Sequence, residues 1–402
     1  MTLKGLGLTE DCRDAVKRNE KFFKNQKREV KFREFEIDKT KENIDFIIMA
    51  IILGIKSIKI EDILKSIIVA YYDKEKSIDE LLKFSDSDKL LESINQTFGS
   101  SVKSFDEIET LFNSLVFTYF ASSIQINDEI KRYSKYLLEK KTNSYVFVND
   151  LMRDKSTQKY FEIISEKVEK EFGINELLTN MTMEEYNDSD AFISIDKQII
   201  ASLKETLLSN ANQFNSYKSY ISLRKNKYWY SHLNKEYEVL NNAIQFLEEY
   251  EENIESIKNI DINDFAKQYA ESLSNIDRYY RKFYYFYDLL NEKDQFMELK
   301  EKIENIYVNK YIQELSIKWS ESLSEIKRYD STKILLQNQF YNEYLKPYSD
   351  KKDRIIVVIS DAFRYECASE LNTLLNTVLG KSTLDFMFGL VPSYTKLGMA
   401  SL

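Results

Sequence analysis

The sequence contains few of the residues that interrupt helices. Only 8 glycines and 2 prolines occur among 402 residues, whereas average usage would give about 28 and 20. Sandwiches, barrels and loop-rich scaffolds need such residues at their many turns. The scarcity therefore predicts a mainly helical protein and argues against these other classes.

Histidine and cysteine are also scarce, which limits the chemistry available to the chain. His232 is the only histidine, and Cys12 and Cys367 are the only cysteines. Hydrolases that use histidine as a general base or as a zinc ligand usually need several. Two cysteines so far apart form neither a disulfide framework nor a paired metal-binding motif. This usage is typical of a protein of the reducing cytoplasm.

Neither the overall charge nor any apolar run points to nucleic acid or membrane as the main partner. The formal net charge is −9, from 57 basic and 66 acidic residues, whereas domains that bind nucleic acid through their charge are usually strongly basic. The longest apolar run, residues 46–55, is too short to span a bilayer. We therefore expect a buried helix there and no membrane association.

Two stretches combine basic and aromatic residues. Residues 17–33 hold eight basic side chains against two acidic ones, with phenylalanines interleaved. They could contact a phosphate backbone or an acidic partner, but the solvated face of an amphipathic helix is the favoured interpretation. Residues 279–287, YYRKFYYFY, could stack on bases, although packing of the rings within a helical core is favoured.

The pattern is helical from residue 9 to about residue 350. Ser77, Ser104 and Asp261 each precede an apolar-periodic stretch, which is typical of helix starts. We divide the chain into a helical region at 1–200, a second helical region at 201–350 and a different segment at 353–402.

The pattern of the last segment predicts the start of an α/β domain. Residues 354–360, RIIVVIS, form an apolar β-branched run that predicts a buried parallel strand. A helix is predicted over 362–379, ended by Gly380, and a second, adjacent strand over 384–390. A further helix begins near Thr395. The order β-α-β-α opens a doubly wound fold but stops after two strands, so we expect the chain to be cut within this domain.

Asp361 and Thr395 are the candidate site residues of this segment. In open α/β sheets, chemistry lies at the carboxyl ends of strands, where Asp361 follows the first predicted strand and Thr395 the second. A carboxylate can hold a metal ion, and the metal can activate a nearby hydroxyl for phosphoryl transfer. The alternative is that Asp361 and Ser393 or Thr395 merely cap helices.

Two motifs in this segment resemble the core of the PglZ family. Residues 357–371, VVISDAFRYECASEL, and 391–402, VPSYTKLGMASL, match its Ser-Asp-Ala-x-Arg-Tyr-Glu and Pro-Ser-x-Thr-x-x-Gly-Met-Ala patterns. PglZ proteins are phosphatase-like components of BREX phage-defence systems, with a catalytic domain of the alkaline phosphatase superfamily. Weaker resemblance upstream points to the helical region of the type A branch, found in BREX type 1. The opening residues resemble an internal stretch of those proteins, so we expect residues to be missing at both ends.

The resemblance implies roles for these residues. Asp361 would be a metal ligand and Thr395 the metal-bound nucleophile. Arg364 and Glu366 match the motif without a chemical role that it assigns, and bracing of a helix start is our interpretation of them. The full-length protein would hold two divalent ions, zinc by family analogy, with the remaining ligands beyond Leu402. The present fragment is then expected to be inactive.

The resemblance leaves two functions open. One is hydrolysis of phosphate monoesters or of diesters such as nucleic acid. The other is a helical scaffold that docks a DNA methyltransferase and other BREX proteins, with a vestigial or regulatory phosphatase site.

Overall fold

The computed structural model describes residues 3–124, 128–209, 213–257, 261–326, 333–352 and 354–402. The chain divides into two compact units, one of Met1–Ile199 with Leu223–Ser231 and the other of Ile200–Ser222 with His232–Leu402. Helices dominate both, so the prediction of a mainly α protein is confirmed over these ranges. Within them, no helix is long and apolar enough to cross a membrane. The three-part division at 200 and 350 stays a prediction, and residue 353 lies outside the described residues.

The first unit is built from short helices. They are α1 (Arg13–Arg18), α2 (Glu20–Phe23), α3 (Gln26–Glu34), α4 (Ile44–Leu53), α5 (Ile60–Tyr72), α6 (Lys76–Phe84), α7 (Ser87–Phe98), α8 (Ile108–Ser123), α9 (Asp128–Lys131), α10 (Lys141–Arg153), α11 (Gln158–Glu171), α12 (Ile174–Thr179) and α13 (Met183–Tyr186). Two further helices, α14 (Ile193–Leu208) and α15 (Phe214–Arg224), contribute residues to both units.

The core of the first unit surrounds α8, which packs against α10 and α11. Phe112, Phe117 and Phe120 on α8 are fully buried, as expected of a helix that is apolar on all sides. The apolar run at 46–55 lies in α4, whose residues from Ile44 to Ile51 are mostly buried. The prediction of a buried helix there is confirmed.

Part of the basic stretch at 17–33 forms ion pairs within the first unit. Arg28 forms an ion pair with Glu80, and its guanidinium lies 3.7 Å from the ring centroid of Phe84. Arg18 contacts the buried carboxylate of Asp45 at 3.1 Å. The interleaved phenylalanines Phe22, Phe23 and Phe32 are buried in the core. The stretch is therefore the charged face of a packed helical segment, which is the interpretation that the sequence favoured.

The second unit contains the remaining helices. They are α16 (Asn234–Asn253), α17 (Ile262–Gln268), α18 (Ser274–Asp288), α19 (Met297–Asn305), α20 (Gln313–Ser324), α21 (Lys346–Asp350), α22 (Tyr365–Leu379) and α23 (Thr395–Ser401). Wider π-type turns occur at Tyr269–Leu273, Ile306–Ile312 and Tyr341–Leu345.

The pairing of α16 with α18 forms the centre of the second unit. The aromatic stretch at 279–287 lies in α18. Its Tyr280 ring stacks on Tyr307 with centroids 3.6 Å apart and planes 8° apart, and Phe283 and Tyr287 are buried. These rings serve core packing, as favoured from the sequence.

The structure corrects the prediction of two adjacent parallel strands. Residues 354–360 form no strand, and Ile356 and Val358 are 75% and 87% exposed. In residues 384–390 only Phe388 pairs, in an isolated parallel bridge with Leu336. β-branched residues favour an extended backbone, but a strand also needs a neighbouring backbone to accept and donate its hydrogen bonds. The described residues place no such neighbour beside 354–360.

The predicted helix between these segments is confirmed with a later start. It forms α22, and Gly380 ends it with a left-handed φ of 77°. The helix begins at Tyr365 rather than at 362, because Ala362 has a φ of 54° that no right-handed helix accommodates.

Candidate active site

Asp361 lies in an exposed turn between residues 354–360 and α22. Its Oδ1 accepts a hydrogen bond of 2.9 Å from the backbone N–H of Ala362. The left-handed backbone at Ala362 turns the chain sharply at this point. The carboxylate is exposed and retains room for further ligands.

Thr395 is the first residue of α23, and its side chain contacts Asp361. The Thr395 Oγ1 donates a hydrogen bond of 3.1 Å to Oδ2 of Asp361 and lies 3.5 Å from Oδ1. The structure therefore brings together the two residues that the sequence singled out, although they lie 34 positions apart. Their catalytic roles stay a prediction.

The alternative that these residues are only helix caps is wrong. The residue that precedes α22 is Arg364 and the residue that precedes α23 is Tyr394, and neither caps its helix with a side-chain hydrogen bond. Asp361 and Thr395 instead bond to each other.

The pair opens onto a cavity of about 660 Å³. Gln337 lines this cavity together with Ser393 and Met399. The Gln337 Nε2 donates a hydrogen bond of 3.1 Å to the carbonyl of Gly398, and its Oε1 accepts one of 3.3 Å from the N–H of Leu390. Gln337 thus links the loop before Thr395 to α23, a role that no sequence motif indicated.

The donor atoms at this site fit part of a metal-binding set. The carboxylate of Asp361 and the hydroxyl of Thr395 are the hard oxygen ligands that divalent ions accept. Over the described ranges, no group of three or more His, Cys, Asp and Glu side chains is placed to hold an ion. His232 ends a short turn at Tyr228–His232 and does not line the cavity. Cys367 is half-buried and donates to Glu366 Oε1 at 3.2 Å.

Comparison with known proteins shows which proteins the chain is similar to. Residues 340–402 match the family model described as "BREX system PglZ alkaline phosphatase-like domain". The whole chain is 31% identical to an alkaline phosphatase-like protein PglZ from Bacillus cereus (strain H3081.97), of which it covers 47%. It is 26% identical to an alkaline phosphatase-like protein BrxZ from Escherichia coli O9:H4 (strain HS), of which it covers 49%.

Residues 340–402 are thus similar to the PglZ alkaline phosphatase-like domain, and the whole chain is similar to these PglZ and BrxZ proteins. The chain spans about half the length of these curated relatives. No solved structure matches it significantly.

The PglZ motif continues past Asp361 to Glu366, which anchors this segment to α18. The Glu366 side chain is fully buried, and the Nε of Arg281 lies 3.1 Å from its Oε1 and 3.0 Å from its Oε2. Arg281 also bonds to Glu370 at 2.7 Å, and Lys282 contacts Glu370 at 2.5 Å. Burial opposes the charged form of Arg281, but its hydrogen bonds to Glu366 and Glu370 dominate and raise its pKa.

A second contact between the PglZ motif and α18 centres on Asp277. This buried carboxylate accepts hydrogen bonds from the hydroxyls of Tyr269 at 2.5 Å and Tyr307 at 3.0 Å. An Arg364 Nη lies 3.8 Å from it. Burial raises the pKa of Asp277 despite these partners, and burial together with the nearby carboxylate raises the pKa of both phenols.

These partners were not predictable from the motif alone. The sequence suggested that Arg364 and Glu366 brace a helix, but it named neither Arg281 nor Asp277 as their partners. Arg281 and Glu366 lie 85 positions apart, and α18 shows only the periodicity of an ordinary packed helix. The charge of Arg281 in a largely aromatic stretch of α18 is the one feature of the sequence that could have indicated this contact.

Proposed function

We propose that the whole protein hydrolyses phosphoric esters in a metal-dependent reaction of a BREX system. Thr395 is the nucleophile, and Asp361 is a ligand of the metal that activates it. The proposal rests on the 3.1 Å hydrogen bond between the Thr395 hydroxyl and the Asp361 carboxylate beside an open cavity. It also rests on the match of residues 340–402 to a family model described as alkaline phosphatase-like.

The chain's own residues supply orientation and charge. When bound, a divalent ion lowers the pKa of a coordinated hydroxyl and neutralises charge that develops on the phosphoryl group. Asp361 accepts a hydrogen bond from the Thr395 hydroxyl, so the hydroxyl oxygen lies beside the carboxylate that would hold the ion. Alkaline phosphatase-like proteins generally use divalent metal. We further propose that this protein uses two zinc ions.

The proposal extends to location and partners. A BREX component acts beside other proteins of its system, and we propose a DNA methyltransferase as one of them and the cytoplasm as the location. Phosphate diesters such as nucleic acid are then a substrate class to test beside monoesters.

A hydrolysis assay on the full-length protein tests the proposal, with one monoester and one diester substrate and with zinc added or chelated. We expect zinc-dependent turnover of one substrate. Thr395→Val should abolish it, because valine has the shape of threonine but no hydroxyl, and Thr395→Ser, which keeps a hydroxyl, should retain part of it. Asp361→Asn should weaken both turnover and zinc binding.

The scaffold alternative predicts a different outcome. If the phosphatase site is vestigial, the native protein turns over neither substrate under any metal condition, and a DNA methyltransferase of the same system still copurifies with the Thr395→Val protein. That combination would contradict the proposed hydrolysis.

A further inference from the structure

The turn that carries Asp361 has few contacts of its own. Residues 354–363 are exposed throughout the described part of the segment. Among the described residues, Asp361 accepts hydrogen bonds only from Thr395 and from the N–H of the next residue. The position of its carboxylate therefore depends on what holds the chain immediately downstream.

Glu366 fixes the chain downstream of Asp361. It lies five positions after Asp361, in the first turn of α22. Its side chain is 0% exposed, whereas the Arg281 side chain that faces it is 36% exposed. Nε and Nη2 of Arg281 both reach the Glu366 carboxylate, at 2.9–3.1 Å. A two-pronged pair of this kind fixes orientation as well as distance.

The ion pair of Arg281 with Glu366 also neutralises a buried negative charge. A buried carboxylate that loses its cation is left desolvated and unpaired, which is strongly unfavourable. Arg364 is a weaker partner of Glu366 than Arg281, because its Nε lies 3.8 Å from Glu366 Oε1, beyond hydrogen-bond distance. Without Arg281, Glu366 would have to move toward water, and the short connection to Asp361 would move with it.

We propose that Arg281 is a positioning residue of the candidate active site, which acts through Glu366 to hold Asp361 within reach of Thr395. Its effect on catalysis rests on the proposed function, whereas its effect on the position of the turn does not. A residue in the helical region, outside the PglZ motifs, thereby controls the geometry of the motif pair.

The test uses the full-length protein and two readouts. Hydrogen–deuterium exchange of peptides that cover residues 361–370 reports how firmly the turn is held, and zinc-dependent kinetics report the consequence. The variants are Arg281→Met, Glu366→Gln and Arg281→Lys. The matched control is Arg278→Met on the same helix, because the guanidinium of Arg278 lies over the ring of Tyr279, 4.8 Å from its centroid.

We expect Arg281→Met and Glu366→Gln to accelerate exchange at 361–370, to weaken zinc binding and to lower kcat. Losses of about 10–100-fold are typical when a partner that orients a metal ligand is removed, and KM for the substrate should change little. The double variant should be no worse than Arg281→Met alone, since both substitutions remove the interaction of Arg281 with Glu366. Arg281→Lys keeps the charge and should recover part of the loss.

Exchange at 361–370 that matches the Arg278→Met control would overturn the positioning role. If Arg281→Met unfolds the protein, exchange rises along the whole chain, and Arg281→Lys then carries the test with the same criterion. The two proposals can fail separately. If exchange at 361–370 is faster in Arg281→Met but the native protein hydrolyses no ester, the positioning role of Arg281 is supported and the proposed function is contradicted.

Discussion

The hydroxyl of Tyr307 donates a hydrogen bond of 3.0 Å to the buried carboxylate of Asp277. Tyr269 donates to the other oxygen of the same carboxylate. Asp277 is thus a shared acceptor at the point where α18 meets the two wider turns Tyr269–Leu273 and Ile306–Ile312. Wider turns of this kind often occur at functional positions, and here they bring both phenols to one carboxylate.

Replacing Asp277 with alanine should destabilise the protein. The phenols of Tyr269 and Tyr307 would lose their acceptor, and each buried polar group left without a partner costs about 1–3 kcal/mol. Urea unfolding of Asp277→Ala and of the native chain measures the loss. The control is Asp288→Ala on the same helix, whose side chain is 70% exposed and pairs with Lys293. A surface change of this kind stays within about 0.5 kcal/mol, and equal losses in the two variants would contradict the assigned role of Asp277.

The pH dependence of Asp277→Asn should reveal the burial of this carboxylate. Burial raises the pKa of Asp277 above its ordinary value of 3.8, against the hydrogen bonds of Tyr269 and Tyr307 and the charge of Arg364, while the charge of Glu366 raises it further. An acid with a raised folded-state pKa contributes stability that is present below pH 3.8 and is lost as pH rises through the raised value.

Asparagine does not ionise and so escapes that loss. The free energy of unfolding of Asp277→Asn, relative to the native chain, should therefore increase as pH rises above 3.8. Urea unfolding at a series of pH values measures this difference. A difference that stays constant would mean that folding leaves the pKa of Asp277 unchanged, and one that falls toward neutral pH would mean that folding stabilises the charged carboxylate; either result would contradict the account.

Arg224 in the first unit forms a fully buried ion pair with Asp196, and both side chains are 0% exposed. Arg224 also donates to the carbonyls of Asn187 and Ser189. Breaking a buried pair by removing one partner typically costs about 3–5 kcal/mol, so Arg224→Met should lower the free energy of unfolding by about that amount. The exposed pair of Arg13 with Glu10 is the control, because surface pairs contribute about 0–1 kcal/mol. Similar losses in Arg224→Met and Arg13→Met would contradict this account.

Local signals predicted much of the helical structure. The scarcity of glycine and proline predicted a mainly α protein, and Asp261 caps α17 by accepting from the N–H groups of Asn263 and Asp264. Gly380 ends α22 as expected. Ser77 was predicted to precede a helix, but it lies inside α6, which begins at Lys76. Signals of this kind succeed because each depends on a few neighbouring residues.

The features that sequence could not supply depend on distant residues. Residues 354–360 have the composition of a buried strand, but no strand forms there. A strand needs hydrogen bonds to a neighbouring strand, and the residues of one segment do not determine whether such a neighbour is present. The contacts of Arg281 with Glu366 and of Gln337 with Gly398 join residues far apart in the chain. The pairing of Asp361 with Thr395 was anticipated from the ends of two predicted strands and from the two motifs, although the strands themselves do not form.

Detection of a phosphorylated Thr395 tests the central claim most directly. The full-length protein would be mixed with zinc and the better of the two ester substrates, quenched rapidly in acid and digested for mass spectrometry. If Thr395 is the nucleophile, we expect a phosphoryl group on the peptide that contains it, absent from the Thr395→Val protein and reduced in Asp361→Asn. Turnover at the native rate by Thr395→Val, with no phosphorylated peptide in the native protein, would contradict the claim.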